Sequence, residues 1–220
     1  MFDIKNISMI YDMDKEEKMY ALNGFDLKLP DKGLIGIIGP SGSGKSTLMY
    51  CISTLKKPTE GSVKYNGREL VGISDGEREK LRREEFGFVF QKHYLVPYMS
   101  AMDNVLVAAE KNDAKTVEKA EEFLKSLGIG KREAGKKPAK LSGGQCQRVA
   151  IARAMINDPK VVFADEPTAS LDHENAFNVM NILKDYSKDR LVLVVTHDRS
   201  ILKDVDMMIE MWDGNISRIG

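Results

Sequence analysis

The sequence predicts an α/β fold, a mostly parallel sheet flanked by helices, with an antiparallel β subdomain and a small α-helical subdomain. Three observations predict it. Leu34 to Ile38, Phe86 to Phe90, Lys160 to Ala164 and Leu191 to Val195 are compact, largely apolar runs of the length and character of strands buried on both faces. Helical patterns separate them, as crossovers between parallel strands require. Phe2 to Ile10 and Ala21 to Leu29 alternate polar and apolar residues instead, which is the mark of half-exposed strands.

The first two strands flank the charged stretch Asp12 to Lys18 and read as a hairpin or meander with a solvated tip. Tyr11 closes the first strand, either as an aromatic covering the core edge or as a face on which a base can stack. Gly33 to Thr47 is the organising stretch. Its strand runs into Gly39-Pro40-Ser41-Gly42-Ser43-Gly44-Lys45-Ser46-Thr47, which matches G-x-x-x-x-G-K-[ST]. Glycines let backbone amides approach an anion, Lys reaches the outer phosphates, and the Ser hydroxyl holds a magnesium ion. A helix from Lys45 aims its positive end at the same place. This motif names a nucleoside triphosphate but no reaction.

Pro58 to Gly61 is a turn before a strand over Ser62 to Tyr65, closed by Asn66-Gly67. Ser74 and Glu77 form a capping box ahead of an exposed helix over Asp75 to Glu84. Strand Phe86 to Phe90 ends at Gln91, a polar side chain at the lip of the sheet. The loop that follows, Lys92 to Met99, is rich in large apolar and aromatic groups, which suits a docking partner or, alternatively, a local core under Tyr94, Leu95 and Tyr98. Ser100 and Asp103 cap a helix to about Glu110, and Thr116 to Leu127 is an amphipathic helix stopped by Gly128. Met99 to Ala139 is thus a helical insertion.

Ser142 and Gln145 form another capping box, before a helix to about Asn157. Gly143 and Gly144 in its first turn each cost about 1 kcal/mol relative to Ala, so the backbone there must lie against something bulky. A helix start beside Ser is an anion site. Since the phosphates already have a cradle at Gly39 to Thr47, this second grip points to a second copy of the chain. Asp165 and Glu166 end a buried strand where α/β sheets hold ligands, so Asp165 can hold a magnesium ion through its water shell while Glu166 orients or deprotonates an attacking water. Pro167 to Asp172 leads to a helix over Glu174 to Tyr186. His197, just past strand Leu191 to Val195, has the same address and favours a phosphate contact. Asp206 to Met211 and Ile216 to Arg218 form a closing hairpin, with Trp212 expected in the core or a lid.

Lys plus Arg and Asp plus Glu both total 33, so a net charge of zero provides no global field for nucleic acid or an anionic membrane. No apolar run approaches the ~18 residues of a membrane helix. The N-terminus does not resemble a signal peptide, and a cytosolic protein is expected. Cys51 and Cys146 lack metal-ligand or C-x-x-C spacing and read as reduced thiols, Cys146 with possible access to thiol reagents.

Taken together these stretches resemble the nucleotide-binding subunit of ATP-binding-cassette transporters over nearly the whole chain. Gly39 to Ser46 is similar to the Walker A loop, Gln91 to the Q-loop, Leu141 to Gln145 to the signature motif and Val161 to Glu166 to the Walker B strand. Asp172 is similar to the D-loop aspartate, His197 to the switch histidine and Tyr11 to the aromatic that stacks on adenine. The resemblance implies a P-loop NTPase core in one domain over 1–220, with a RecA-like core and antiparallel β lobe over 1–90 and 158–220 and a helical signature subdomain over about 92–157. It also implies a head-to-tail homodimer with two ATP molecules between the copies. In that arrangement Gly39, Pro40, Ser41, Gly42, Ser43, Gly44 and Thr47 hold the phosphates, Lys45 binds the β and γ groups, and Ser46, Gln91 and Asp165 hold Mg²⁺. Glu166 activates water, His197 holds the γ phosphate, and Ser142, Gly143, Gly144, Gln145 and Asp172 serve the partner copy's site.

Within the family, Phe88 to Gln91 with Leu95, Pro97 and Asn104-Val105 resembles the group serving lipoprotein release, macrolide-type export and antimicrobial-peptide resistance. Ser100 and Met102-Asp103 depart from that group's Thr and Glu, and Cys146 stands where Gln is commoner. The function implied is an ATPase powering a separate membrane permease that docks near Gln91 to Asn104, peripheral on the inner face of the cell membrane, exporting or extracting peptides, lipoproteins or drugs. The alternative is a cassette ATPase working as a switch in cell division, repair or translation. Repair and translation types usually carry a long coiled-coil insertion or tandem cassettes, for which Gln91 to Leu141 leaves no room, and no nucleic acid is expected as a partner.

Overall fold

The computed structural model describes residues 1–11, 18–111 and 113–220. The expected tip of the first hairpin lies largely outside the described residues. Its two strands, β1 (Phe2–Tyr11) and β2 (Met19–Leu29), pair antiparallel, and β4 (Glu60–Tyr65) and β5 (Arg68–Glu69) extend them into a four-stranded sheet of order β2-β1-β4-β5. The second sheet has six strands in the order β10-β9-β3-β8-β7-β6, built from β3 (Gly33–Ile38), β6 (Phe86–Val89), β7 (Val161–Asp165), β8 (Leu191–Thr196), β9 (Met207–Trp212) and β10 (Asn215–Ile219). All its pairs are parallel except the closing hairpin β9-β10.

Strand periodicity decides what each face covers. On β7 and β8, Val161, Phe163, Leu191, Leu193 and Val195 point into a core shared with the antiparallel sheet and α1 (Lys45–Ile52). Val162, Ala164, Val192 and Val194 point the other way, against α6 (Gly143–Met155) and α7 (His173–Tyr186). Phe163 is fully buried among aromatic rings, with Phe86 at 5.2 Å and Phe88 at 5.5 Å between centroids.

Local signals fix several helix ends. Ser74, Ser100 and Ser142 all form capping boxes, ahead of α2 (Asp75–Glu84), α3 (Ala101–Leu106) and α6. α4 (Ala114–Ser126) turns Ala120 and Leu124 inward, and Gly128 follows it with φ +70°. α3 stops at Leu106 rather than near Glu110, because the side chain of Asn157 takes over there: its Nδ2 donates to Ala108 O at 2.7 Å and its Oδ1 accepts from Glu110 N at 3.1 Å. A short α5 (Lys131–Ala134) completes the helices.

Three side-chain expectations change. Trp212 is 66% exposed and so lies outside the core, at the end of the first strand of the closing hairpin. Tyr94 and Tyr98 are 65% and 72% exposed, so they build no local core, while Leu95 alone packs against the helical cluster. Cys146 is buried rather than accessible, with its thiol toward Pro138 O at 3.6 Å, and burial raises the pKa of both cysteines, that of Cys51 to about 12.

Replacing Phe163 by Ala removes the ring that joins the two sheets and should cost about 3–5 kcal/mol. Urea unfolding with an unchanged slope and a shifted midpoint would show it; a loss below about 1 kcal/mol would contradict this packing.

Candidate functional site

In-step parallel pairing assembles the site. Ile38 lies opposite Thr196 across β3 and β8, and Asp165 lies opposite Val195 across β7 and β8. The turns that follow these three strands therefore emerge side by side at one sheet edge, where α/β sheets bind ligands. They border an open cavity of about 610 Å³ that gathers Tyr11, Ser41, Gly42, Gly44, Lys45, Ser46, Thr47, Gln91, Asp165, Glu166 and His197. Met19 and Ala21, which sequence patterning does not distinguish from other strand residues, line it too.

The glycine-rich loop is shaped by close approach. A Cβ on Gly39 would stand 2.2 Å from Met211 O, and one on Gly44, whose φ is +95°, would stand 2.3 Å from Ala21 O. Lys45 is buried beneath the loop and its Nζ donates to Gly39 O and Pro40 O, both at 2.8 Å. Burial lowers its pKa, against the pull of Glu166 and Asp165. α1 begins at Lys45 with no side-chain cap, unlike α2, α3 and α6, so its first amides are left to an anion.

Asp165 is 5% exposed. Its Oδ1 accepts from Ser46 Oγ and its Oδ2 from the Tyr50 hydroxyl, each at 3.0 Å. Burial pushes its carboxyl above the ordinary range while the two hydroxyls pull it down. Glu166 has φ +50°, a left-handed conformation costing a non-glycine residue on the order of 1–3 kcal/mol. Its backbone N–H donates to Val195 O at 2.8 Å, its Oε2 accepts from Thr196 Oγ1 at 3.0 Å, and its Oε1 accepts from the His197 backbone N–H at 3.1 Å. His197 Nδ1 lies 2.7 Å from the same Oε1. A carboxylate only accepts, so the proton sits on Nδ1.

These groups suit a magnesium ion. Ser46, Asp165 and Gln91 all line the cavity and carry side-chain oxygens, and among the described residues no cluster of three or more His, Cys, Asp or Glu forms a self-sufficient cage. Magnesium is commonly bound in this way, by one or two protein groups together with substrate phosphates and water.

Ser142, Gly143, Gly144, Gln145 and Asp172 do not line this cavity. Ser142 and Gln145 cap α6 reciprocally, at 3.1 Å and 2.9 Å. The expectation of a bulky neighbour is met inside the chain for Gly144, whose Cβ would lie 3.1 Å from Leu171 Cδ2 and 3.3 Å from Ser170 O. Gly143 has room for a Cβ, so its own chain does not explain it. Asp172 caps α7 through Asn175 N at 2.9 Å, and Asn175 Oδ1 accepts from Arg148 of α6 at 2.6 Å. Hydrogen bonds from Asn175 lower the pKa of Asp172. Farther along α6, Arg153 donates to His93 O and Tyr94 O, both at 2.7 Å, and Gln147 Oε1 lies 2.5 Å from His93 Nδ1, so this helix also grips the exposed aromatic loop.

Two participants escape a reading of motifs. Tyr50 stands four residues beyond Ser46 on α1, a spacing that could have pointed to a shared partner, and Thr196 looks like nothing more than a strand end.

A family model described as ABC transporter matches residues 22–169. A macrolide export ATP-binding/permease protein, MacB, of Bdellovibrio bacteriovorus is 42% identical over 218 residues, covering 98% of this chain and 33% of that protein. The ABC transporter ATP-binding protein MJ0796 of Methanocaldococcus jannaschii is 38% identical over 226 residues, covering 99% of this chain and 96% of that one. The chain thus spans about a third of the MacB relative and nearly all of the archaeal one. A dimeric structure of the MJ0796 ATP-binding cassette in a post-hydrolysis state, bound to ADP and Pi, superposes with a TM-score of 0.93 at 38% identity, covering 100% of this chain and 98% of that one.

Because burial raises the pKa of Asp165, its ionised form weighs against the folded state at neutral pH; that penalty begins to fall as pH drops below the folded pKa and is gone below the ordinary carboxyl pKa of the unfolded chain. Asp165→Asn should therefore raise the melting temperature of the nucleotide-free protein at pH 7 and leave it nearly unchanged at pH 3. A lower melting temperature at pH 7 would contradict the burial account.

Proposed function

The chain belongs to the ABC transporter family, and from that membership we propose that it binds and hydrolyses ATP to power a separate membrane permease, an exporter or extractor of peptides, lipoproteins or drugs. The observation that carries the reading is the convergence of the phosphate loop, the Ser46–Asp165 pair and the Glu166–His197 pair on one cavity.

Chemically the site can work as follows. The Lys45 ammonium exchanges the carbonyls of Gly39 and Pro40 for the β and γ phosphate oxygens of ATP, joined by the loop residues Gly39 to Thr47. Tyr11 offers its ring to adenine. Ser46, Gln91 and Asp165 would hold Mg²⁺, which supplies charge neutralisation across the phosphates when bound. Glu166, fixed by three donors from Thr196 and His197, orients a water and takes its proton as the oxygen bonds to the γ phosphorus and the bond to the bridging oxygen breaks. His197 lines the same cavity and is the residue assigned to the γ phosphate.

One copy leaves the opposite side of the cavity open, and Ser142, Gly143, Gly144, Gln145 and Asp172 of a second copy complete it. That nothing in its own chain closes on a Cβ at Gly143 supports an approach there by the phosphate of the other copy. The exposed Tyr94 and Tyr98 in the loop gripped by α6 suit the permease, between Gln91 and Asn104. No helix among the described residues is long and apolar enough to cross a membrane, which fits a subunit lying against the cytoplasmic face of a partner.

Glu166→Gln should lower ATP turnover by ~10²-fold or more, the share ordinarily supplied by a positioned base, and should elute as a dimer on sizing with Mg·ATP and as a monomer without it. Undiminished turnover would remove the role given to Glu166. A variant that stays monomeric at saturating nucleotide would count against the shared site.

A further inference from the structure

We propose that Tyr50 is a positioning residue for the divalent cation, acting by fixing the carboxylate of Asp165; the inference rests on the nucleotide reading above. Ser46 and Tyr50 lie four residues apart on α1 and so share one helix face. Their hydroxyls reach the two oxygens of a single carboxylate, Ser46 taking Oδ1 and Tyr50 taking Oδ2, each at 3.0 Å. Among the described residues no third hydrogen bond reaches that side chain. The terminal torsion of an aspartate is broad and soft, so one donor leaves the carboxylate free to turn about the bonded oxygen. Two donors from one rigid helix hold its plane and set which edge faces the cavity.

Tyr50 does this from behind the site. It is half-buried and is not part of the cavity wall, where Ser46 and Asp165 both stand. Ser46, by contrast, lies on the cavity side and has an oxygen to offer the cation. The two residues therefore divide the work: one donor shares the cation with Asp165, and the other keeps Asp165 aimed. Groups that hold metal-binding side chains in place contribute ~10–100-fold to metal affinity.

The test is Mn²⁺ binding followed by electron paramagnetic resonance in the presence of saturating ATP, beside ATP binding measured by calorimetry in EDTA. For Tyr50→Phe, Mn²⁺ affinity should fall ~10-fold or more while ATP binding in EDTA stays within about twofold of wild type. A residue that merely fills space would lower the melting temperature and leave Mn²⁺ affinity unchanged, and that result overturns the proposal. Should Tyr50→Phe fail to fold, 4-fluorophenylalanine at position 50 fills the hydroxyl's volume without a donor, and the same loss or its absence decides the matter. If the wild-type chain itself binds no Mn²⁺ with ATP, the nucleotide reading fails and this inference with it. If the wild type binds and both variants match it, only the role of Tyr50 is lost.

Discussion

The site exists because three parallel strands end in step. Ile38 opposite Thr196 and Val195 opposite Asp165 bring the phosphate loop, the acid pair and the histidine to a common edge, and none of these turns could meet another if β8 were shifted. A one-residue slip in β8 would exchange the inward Leu191, Leu193 and Val195 with Val192 and Val194; both faces are apolar, so what opposes the slip is the mismatch of leucine and valine volumes in two close-packed layers. The fit of side-chain volumes on both faces of the buried strands thus aligns the polar chemistry beyond their ends.

That alignment concentrates unfavourable features at one place. A lysine lies buried beneath a loop, a carboxylate sits at a fully buried strand end, and a glutamate occupies a left-handed conformation. Each is held by specific partners: loop carbonyls for Lys45, two hydroxyls for Asp165, and the Thr196-His197 turn for Glu166. A phosphate chain with its cation would set opposite charges against these groups, so binding relieves these costs as well as making new contacts. The stability of the free protein and its readiness for nucleotide are therefore set against each other at the same residues.

Much of the fold was legible because its signals are local. The strand runs, the capping boxes at Ser74, Ser100 and Ser142, and the glycine-rich loop each occupy a few consecutive residues, and the structure forms those elements within a few positions of the expected ends. What stayed hidden depends on partners distant in sequence. Asn157 ends α3 from forty-nine positions beyond Ala108, Leu171 occupies the space beside Gly144, and Pro138 with its surroundings covers Cys146. The site divides in the same way. Motif residues could be named from spacing, whereas the bond from Tyr50 to Asp165, across 115 positions, required the packing of α1 against β7 to be seen.

The grip of α6 on the loop after Gln91 has a mechanical consequence. Thirteen helical residues span about 20 Å, with the Ser142 cap at one end and Arg153 clasping two carbonyls near the other. A helix of that length is stiff, so a load applied at Ser142 would be carried along α6 to the carbonyls of His93 and Tyr94. The exposed aromatic loop is thus tied by its backbone to the same rigid element whose tip carries the Ser142 cap.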